Sequence, residues 1–215
     1  MAEPDYLTTT RDSYDSVAVD YEKLLRDELD AKPFDRAMLA AFADLVRVED
    51  SGPVADLGCG PGRVTAHLAG LGLTVFGVDL SSEMVAVARR EHPGLRFEEG
   101  SMTSLALGDG VLGGIVAWYS IIHTPPESLP GIFAEFHRVL APGGHLLVAF
   151  KAGDERRHLA HAYGHDLSLE VYWLPPERVA ELSSRAGLVE VARLVRDPDR
   201  TEGGPQAYLV ARKPN

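Results

Sequence analysis

The residues of most chemical consequence lie between positions 54 and 79. Asp56 is followed by glycines at alternate positions, Gly58, Gly60 and Gly62, and the run opens on the apolar residues Val54 and Ala55, with Leu57 between acid and glycine. A buried strand that runs into such glycines and then into a helix builds a ligand cradle, because glycine lets the backbone turn sharply and come within contact distance of a bound molecule. Asp79 closes a second apolar run, Val75-Phe76-Gly77-Val78, about twenty residues downstream. In open α/β sheets ligands sit outside the carboxyl ends of the strands, where an acid ending the second strand can accept both hydroxyls of a ribose. Further along, His123 and Tyr119 follow a third apolar run. An imidazole with an ordinary pKa of about 6.5 can take a proton from a hydroxyl or amine at neutral pH. Two roles therefore stand for His123, a structural hydrogen bond, which ranks first, and a general base. Tyr119 either orients an acceptor or packs.

Spacing separates two kinds of cofactor. The dinucleotide fingerprint G-x-G-x-x-G carries its third glycine inside the helix, whereas this chain reads Asp56-x-Gly58-x-Gly60-x-Gly62. A nicotinamide oxidoreductase is kept as the alternative, together with a cofactor-binding protein without catalysis. His158, His161 and His165 are spaced to share one face of a helix, which invites a metal site. Gly164 interrupts that segment and no cysteine lies near, so no metal is expected. Cys59, the one cysteine, reads as a small residue inside the glycine turn; it cannot form an internal disulfide, which fits a reducing compartment.

Helices and strands alternate around these residues. Arg63 to Leu71 reads as the helix after the cradle, and Phe34, Met38, Phe42 and Leu45-Val46 mark an amphipathic helix over 33 to 47 with Pro33 in its first turn. Met84, Val87 and Ala88 form the next apolar stripe, ended by His92-Pro93-Gly94, with Ser81 or Ser82 as its cap. Leu129, Ile132-Phe133, Phe136 and Val139-Leu140 make a third. Pro176 to Ala186 reads as a helix ended by Gly187, and Leu188 to Val195 with Gln206 to Arg212 as a terminal hairpin. This is an α/β doubly wound sheet with helices on both faces.

From Tyr14 to the final strand the chain resembles the class I S-adenosylmethionine-dependent methyltransferases of small-molecule type. Motif I is Asp56 to Gly62, and Leu80-Ser81-Ser82-Glu83-Met84, Phe97-Glu98-Glu99-Gly100-Ser101-Met102, Gly114 to Tyr119 and Arg138-Val139-Leu140-Ala141-Pro142-Gly143-Gly144 follow in the family's order. The resemblance implies a Rossmann-like sheet of seven strands, mostly parallel, with an antiparallel C-terminal hairpin. It implies S-adenosylmethionine as cofactor, with Gly58, Gly60 and Gly62 facing the methionine part, Asp56 helping to hold its ammonium, and Asp79 taking the ribose. Leu80, Met84 and Met102 would line the adenine, and Trp118 ends the strand beside the site. Tyr14 and Tyr21 would donate to the methionine carboxylate. Two departures stand out: Ser101 replaces a common adenine-binding acid, and Gly114 replaces a common aspartate, read as structural.

Residues 1–215 read as one domain, with 1–32 as an N-terminal cap and 151–174 as a substrate-lid insertion. At 215 residues and 45% hydrophobic content the chain can bury one sizeable core. A formal net charge of −11, from 32 acidic and 21 basic residues, disfavours nucleic acid, whose binders usually carry a basic stripe. The prolines of Thr124-Pro125-Pro126 come too late, and lack the aromatic, for the DNA amino-methylating pattern. No run approaches the ~20 apolar residues that span a bilayer, and Met1 to Asp5 lacks the features of a signal peptide. The expectation is a cytoplasmic monomer or homodimer that methylates an O, N or C nucleophile of a small polar or aromatic metabolite, possibly of secondary metabolism. Quinone or lipid-like precursors are the alternative acceptors.

Overall fold

The computed structural model describes residues 4–49 and 51–215; Met1 to Glu3, part of the segment read for a leader, lie outside the described residues. A seven-stranded sheet carries the fold. In chain order its strands are β1 (Val54–Leu57), β2 (Val75–Asp79), β3 (Arg96–Glu99), β4 (Leu112–Trp118), β5 (Leu140–Lys151), β8 (Val189–Arg196) and β9 (Gln206–Arg212), and their spatial order is β3-β2-β1-β4-β5-β9-β8. Strands β1 to β5 pair in parallel, while β9 runs against both β5 and β8. The hairpin read at the C-terminus is present, but its second strand inserts between β5 and β8. Among the described residues, β5 is followed in the sheet by the antiparallel β9 and β8.

Helices α2 (Pro33–Glu49), α3 (Arg63–Gly70) and α4 (Ser82–Glu91) cover one face and α5 (Leu129–Val139) and α6 (Pro176–Arg185) the other. Their apolar stripes are those of the sequence: Phe42 and Val46 pack under β1 and β4, and Phe133, Phe136 and Val139 on the opposite side. Strands β1 and β4 are buried throughout, as parallel strands covered on both faces must be. Gly114 has a steric reason. A Cβ there would lie 2.8 Å from the Phe42 ring and 3.0 Å from Val46, so the face of β4 that receives α2 has no space for the aspartate common in relatives.

Three elements depart from the sequence reading. Pro142-Gly143-Gly144, expected as a turn, is part of β5, which starts directly after α5; the register jumps between Leu112 and Gly114, and Gly143 takes φ +79°. The 13–21 tyrosine segment belongs to one long helix, α1 (Asp5–Leu25). The insertion 151–174 is a separate antiparallel pair, β6 (Glu155–Ala162) and β7 (His165–Trp173), joined by a turn at Tyr163-Gly164. A strand repeats every two residues, so His158, His161 and His165 do not share a helix face. Each pairs with its own acid instead, His158 with Glu170, His161 with Asp166 and His165 with Asp20.

Candidate functional site

A cleft of about 850 Å³, open solvent at its mouth included, lies over the carboxyl ends of β1, β2 and β4. The glycine turn makes its floor. Gly58, Gly60 and Gly62 have φ of +74°, +54° and +88°, a region closed to most side-chain-bearing residues. The Gly58 amide donates to the Val78 carbonyl at 2.8 Å, which ties the turn to β2. Asp79 closes the other side. One carboxylate oxygen accepts the Gly60 amide at 2.7 Å and the other the Ser81 amide at 2.9 Å. Burial pushes its pKa up to about 6, against the pull of those amides, so it is mostly ionised at neutral pH.

Of the residues named from sequence, Tyr14, Tyr21, Gly58, Gly60, Asp79, Leu80, Met84, Ser101, Met102, Trp118, Tyr119 and His123 all border this cavity. Asp56 and Gly62 do not. Asp56 is wholly buried; its Oδ2 accepts from the Thr65 hydroxyl at 2.6 Å, which braces the start of α3, and its Oδ1 has no partner. Burial raises its pKa to about 7. A Cβ on Gly62 would lie 2.7 Å from the Phe97 ring, so that glycine serves close packing behind the cradle.

The two tyrosines divide their roles. The His123 ring faces the Glu170 carbonyl through Nδ1 at 2.9 Å and the Tyr14 hydroxyl through Nε2 at 2.7 Å. A carbonyl only accepts, so Nδ1 carries the proton, Nε2 is the acceptor, and Tyr14 donates to it. Tyr14 therefore cannot also donate that proton to a methionine carboxylate. Burial pushes the His123 pKa down to about 4, and the Lys151 charge adds to the effect. Tyr21 instead meets the guanidinium of Arg63, whose Nη2 also pairs with Glu28 at 2.8 Å. The Tyr119 hydroxyl turns to Tyr208, away from an acceptor. Ser101 spends its hydroxyl on Thr103, at 2.8 Å, so no acidic side chain stands at that end of the cavity.

Sequence reasoning missed Tyr6, Leu7, Thr10 and Arg11, which also line the cavity. A signal existed: stepping back from Tyr14 by three, four and seven residues gives Arg11, Thr10 and Leu7, one face of a helix. Asp15 on the same helix accepts from the Ser81 hydroxyl and the Glu83 amide, and Ser81 caps α4 through the Met84 amide at 3.0 Å, which docks α1 on the start of α4. Arg63 and Ser120 were also missed, and no spacing rule marks them.

The residues present fit S-adenosylmethionine. Asp79 still has lone pairs for a ribose diol, because each oxygen accepts only one amide. Trp118 Nε1 and Ser120 Oγ, on the cavity wall, are buried without a hydrogen-bond partner, as is Arg63 Nη1 just beyond Tyr21. Unpaired buried donors are costly, and an anionic group such as the methionine carboxylate would satisfy them.

Comparison with known proteins agrees. Residues 54–144 match the family described as "Methyltransferase domain". Demethylmenaquinone methyltransferase of Beutenbergia cavernae is 32% identical over 136 residues, covering 63% of this chain and 55% of that protein. Magnesium protoporphyrin IX methyltransferase of Synechocystis, solved with S-adenosylmethionine bound, superposes with a TM-score of 0.74 at 16% identity over 99% of both chains. The 1,6-didemethyltoxoflavin-N1-methyltransferase of Burkholderia thailandensis gives 0.70 at 23% identity, over 100% of this chain and 92% of that one. The chain spans about half the length of the curated relatives it matches. Residues 54–144 thus carry a methyltransferase domain, and the chain has the fold of the class I S-adenosylmethionine-dependent methyltransferases.

Proposed function

We propose that the chain methylates an oxygen, nitrogen or carbon nucleophile of a small molecule. The carrying observation is the cavity itself, which brings the glycine turn and Asp79 together with a polar wall of Tyr6, Thr10, Arg11, Tyr14 and Thr124. When bound, S-adenosylmethionine supplies a methyl group already activated by its sulfonium, so the protein has to align and enclose rather than activate. Asp79 accepts the ribose hydroxyls, and the donors of Trp118, Ser120 and Arg63 answer the carboxylate. Helix α1 excludes water from above. The Tyr14 oxygen, its proton directed to His123, offers lone pairs that can receive and orient an acceptor O–H or N–H.

Quinone precursors are the second reading, favoured by the similarity to a demethylmenaquinone methyltransferase and by the mixed aromatic and apolar lining around Tyr6, Leu7 and Met102. Calorimetry tests the cofactor: S-adenosylhomocysteine binds, a nicotinamide dinucleotide does not, and Asp79→Ala loses binding because a charge-assisted acceptor worth about 1.5–3 kcal/mol is removed. Near-wild-type affinity in that variant would sink the assignment. An acceptor screen read by product mass, with quinols among the candidates, separates the two substrate classes by a gain of one methyl group.

A further inference from the structure

The chain leaves β4 in an unusual conformation that a buried polar relay outside the cavity holds in place. Tyr119 has φ +53°, a left-handed backbone that a bulky residue rarely takes. Its amide donates to the Ala149 carbonyl at 2.9 Å, opposite Tyr208 on β9; its hydroxyl lies toward that of Tyr208, and the Trp118 ring packs on both tyrosine rings, at 5.8 and 5.6 Å. Tyr208 is fully buried; it donates to Asp35 of α2 and accepts from Arg196 Nε at 3.0 Å. Arg196 forks onto the two oxygens of Glu202 at 2.6 and 2.7 Å, and Glu202 also receives the buried Lys32 ammonium at 2.7 Å. Charges this deep persist only where each has its partners, so the relay is rigid and directional in a way that apolar packing is not.

Its end point bears on the site. A Cβ on Gly58 would lie 2.3 Å from Ser120 Cβ, so the peptide after Tyr119 packs directly on the glycine turn. Trp118 and Ser120, on either side of Tyr119, are the two cavity residues with unpartnered buried polar atoms. The backbone turn at Tyr119 decides where both of them point. We propose that Tyr208 and Asp35, neither of which lines the cavity, are positioning residues for the cofactor site: they hold Tyr119 in the left-handed conformation that sets Trp118 and Ser120 against the glycine turn. The inference rests on the cofactor reading above.

Binding of S-adenosylhomocysteine, measured by calorimetry well below the melting temperature, tests it without an acceptor. Tyr208→Phe should weaken binding about fivefold or more, the loss that one hydrogen bond's worth of coupling brings. Asparagine adopts the left-handed region readily, so in a Tyr119→Asn background the same Tyr208→Phe change should cost no further affinity. A purely structural Tyr208 would lower the melting temperature in both backgrounds and leave the affinity of the folded protein unmoved. Unchanged affinity in Tyr208→Phe, or an equal loss in both backgrounds, overturns the proposal. Should Tyr208→Phe not fold, Tyr119→Phe, which keeps both rings and removes only the outer hydroxyl, carries the same expected loss. Hydrogen exchange of the 119–123 amides without ligand gives a readout independent of the cofactor: faster exchange in the variant is expected, and unchanged exchange overturns the inference. If the wild-type protein fails to bind S-adenosylhomocysteine, the cofactor reading falls, while the exchange experiment still judges the positioning role.

Discussion

To act as a base, His123 would first have to release the Tyr14 hydroxyl and then hold a proton where burial has already pushed its pKa down to about 4. Relative to an ordinary imidazole that opposes protonation by ~3 kcal/mol. His123→Asn should therefore lower turnover by less than about tenfold, with the wild-type profile kept from pH 6 to 9; a fall of about 10² or more would restore proton transfer to the ring. Asp56 makes a stability prediction. Its carboxyl has a pKa of about 7 in the folded chain against an ordinary 3.8. Between those values the folded form holds the proton and the unfolded form does not, so this group's contribution to stability falls as pH rises from 4 to 7 and is gone above that. Asp56→Asn keeps an acceptor for Thr65 and removes the titration. Melting temperatures should show the variant gaining on the wild type between pH 5 and 8, and parallel curves would contradict the raised pKa.

At the scale of elements, periodicity made much of the framework legible. The stripes of α2 and α5 were readable because each buries one face on the sheet, that of α4 because Met84 and Val87 pack on α1 and Ala88 near Phe97, and β1 and β2 because Gly58 and Asp79 at their ends have types that suit a ligand cradle. The hairpin β6–β7 was not readable. Its polar residues alternate too weakly to mark a strand, since both faces of much of β6 meet solvent. The bulge in β5 was hidden because Pro142-Gly143-Gly144 has the composition of a free turn, and only pairing with β4 and β9 absorbs it into the strand. The cradle glycines were visible as types, but that Asp56 faces α3 and Tyr14 faces His123 depends on contacts between residues far apart in sequence. Gly114 gives a test of the α2 contact. Gly114→Val should destabilise the fold by about 2–3 kcal/mol, because added atoms meet Phe42, Val46 and Val54 at near 3 Å. In a chain of this size that lowers the melting temperature by roughly 5–10 °C, and an unchanged value would mean that α2 gives way freely.

Across the whole molecule, α1, which lines the cavity, and the β6–β7 hairpin, which does not, grip one another. Ser13 donates to the Ser168 carbonyl at 3.0 Å, His165 pairs with Asp20 at 2.9 Å, the Tyr21 and Tyr163 rings meet at 4.8 Å, and Tyr14 reaches β7 through His123. Binding of S-adenosylhomocysteine should accordingly slow hydrogen exchange in α1 and in β6–β7 together, as one cooperative unit. Protection of one without the other would show that the two move independently. The clasp also orders events during synthesis. Ser13 leaves the ribosome 155 residues ahead of its partner, a delay of roughly 10–30 s at ordinary elongation rates. Through that interval Val17 and Ala18 of α1 can meet Met84 and Val87 of α4 but lack Tyr163 and Leu167, which later pack beside them. Helix α1 is thus translated well ahead of the hairpin that grips it, and the contacts behind this wall of the cavity are complete only when the hairpin has emerged.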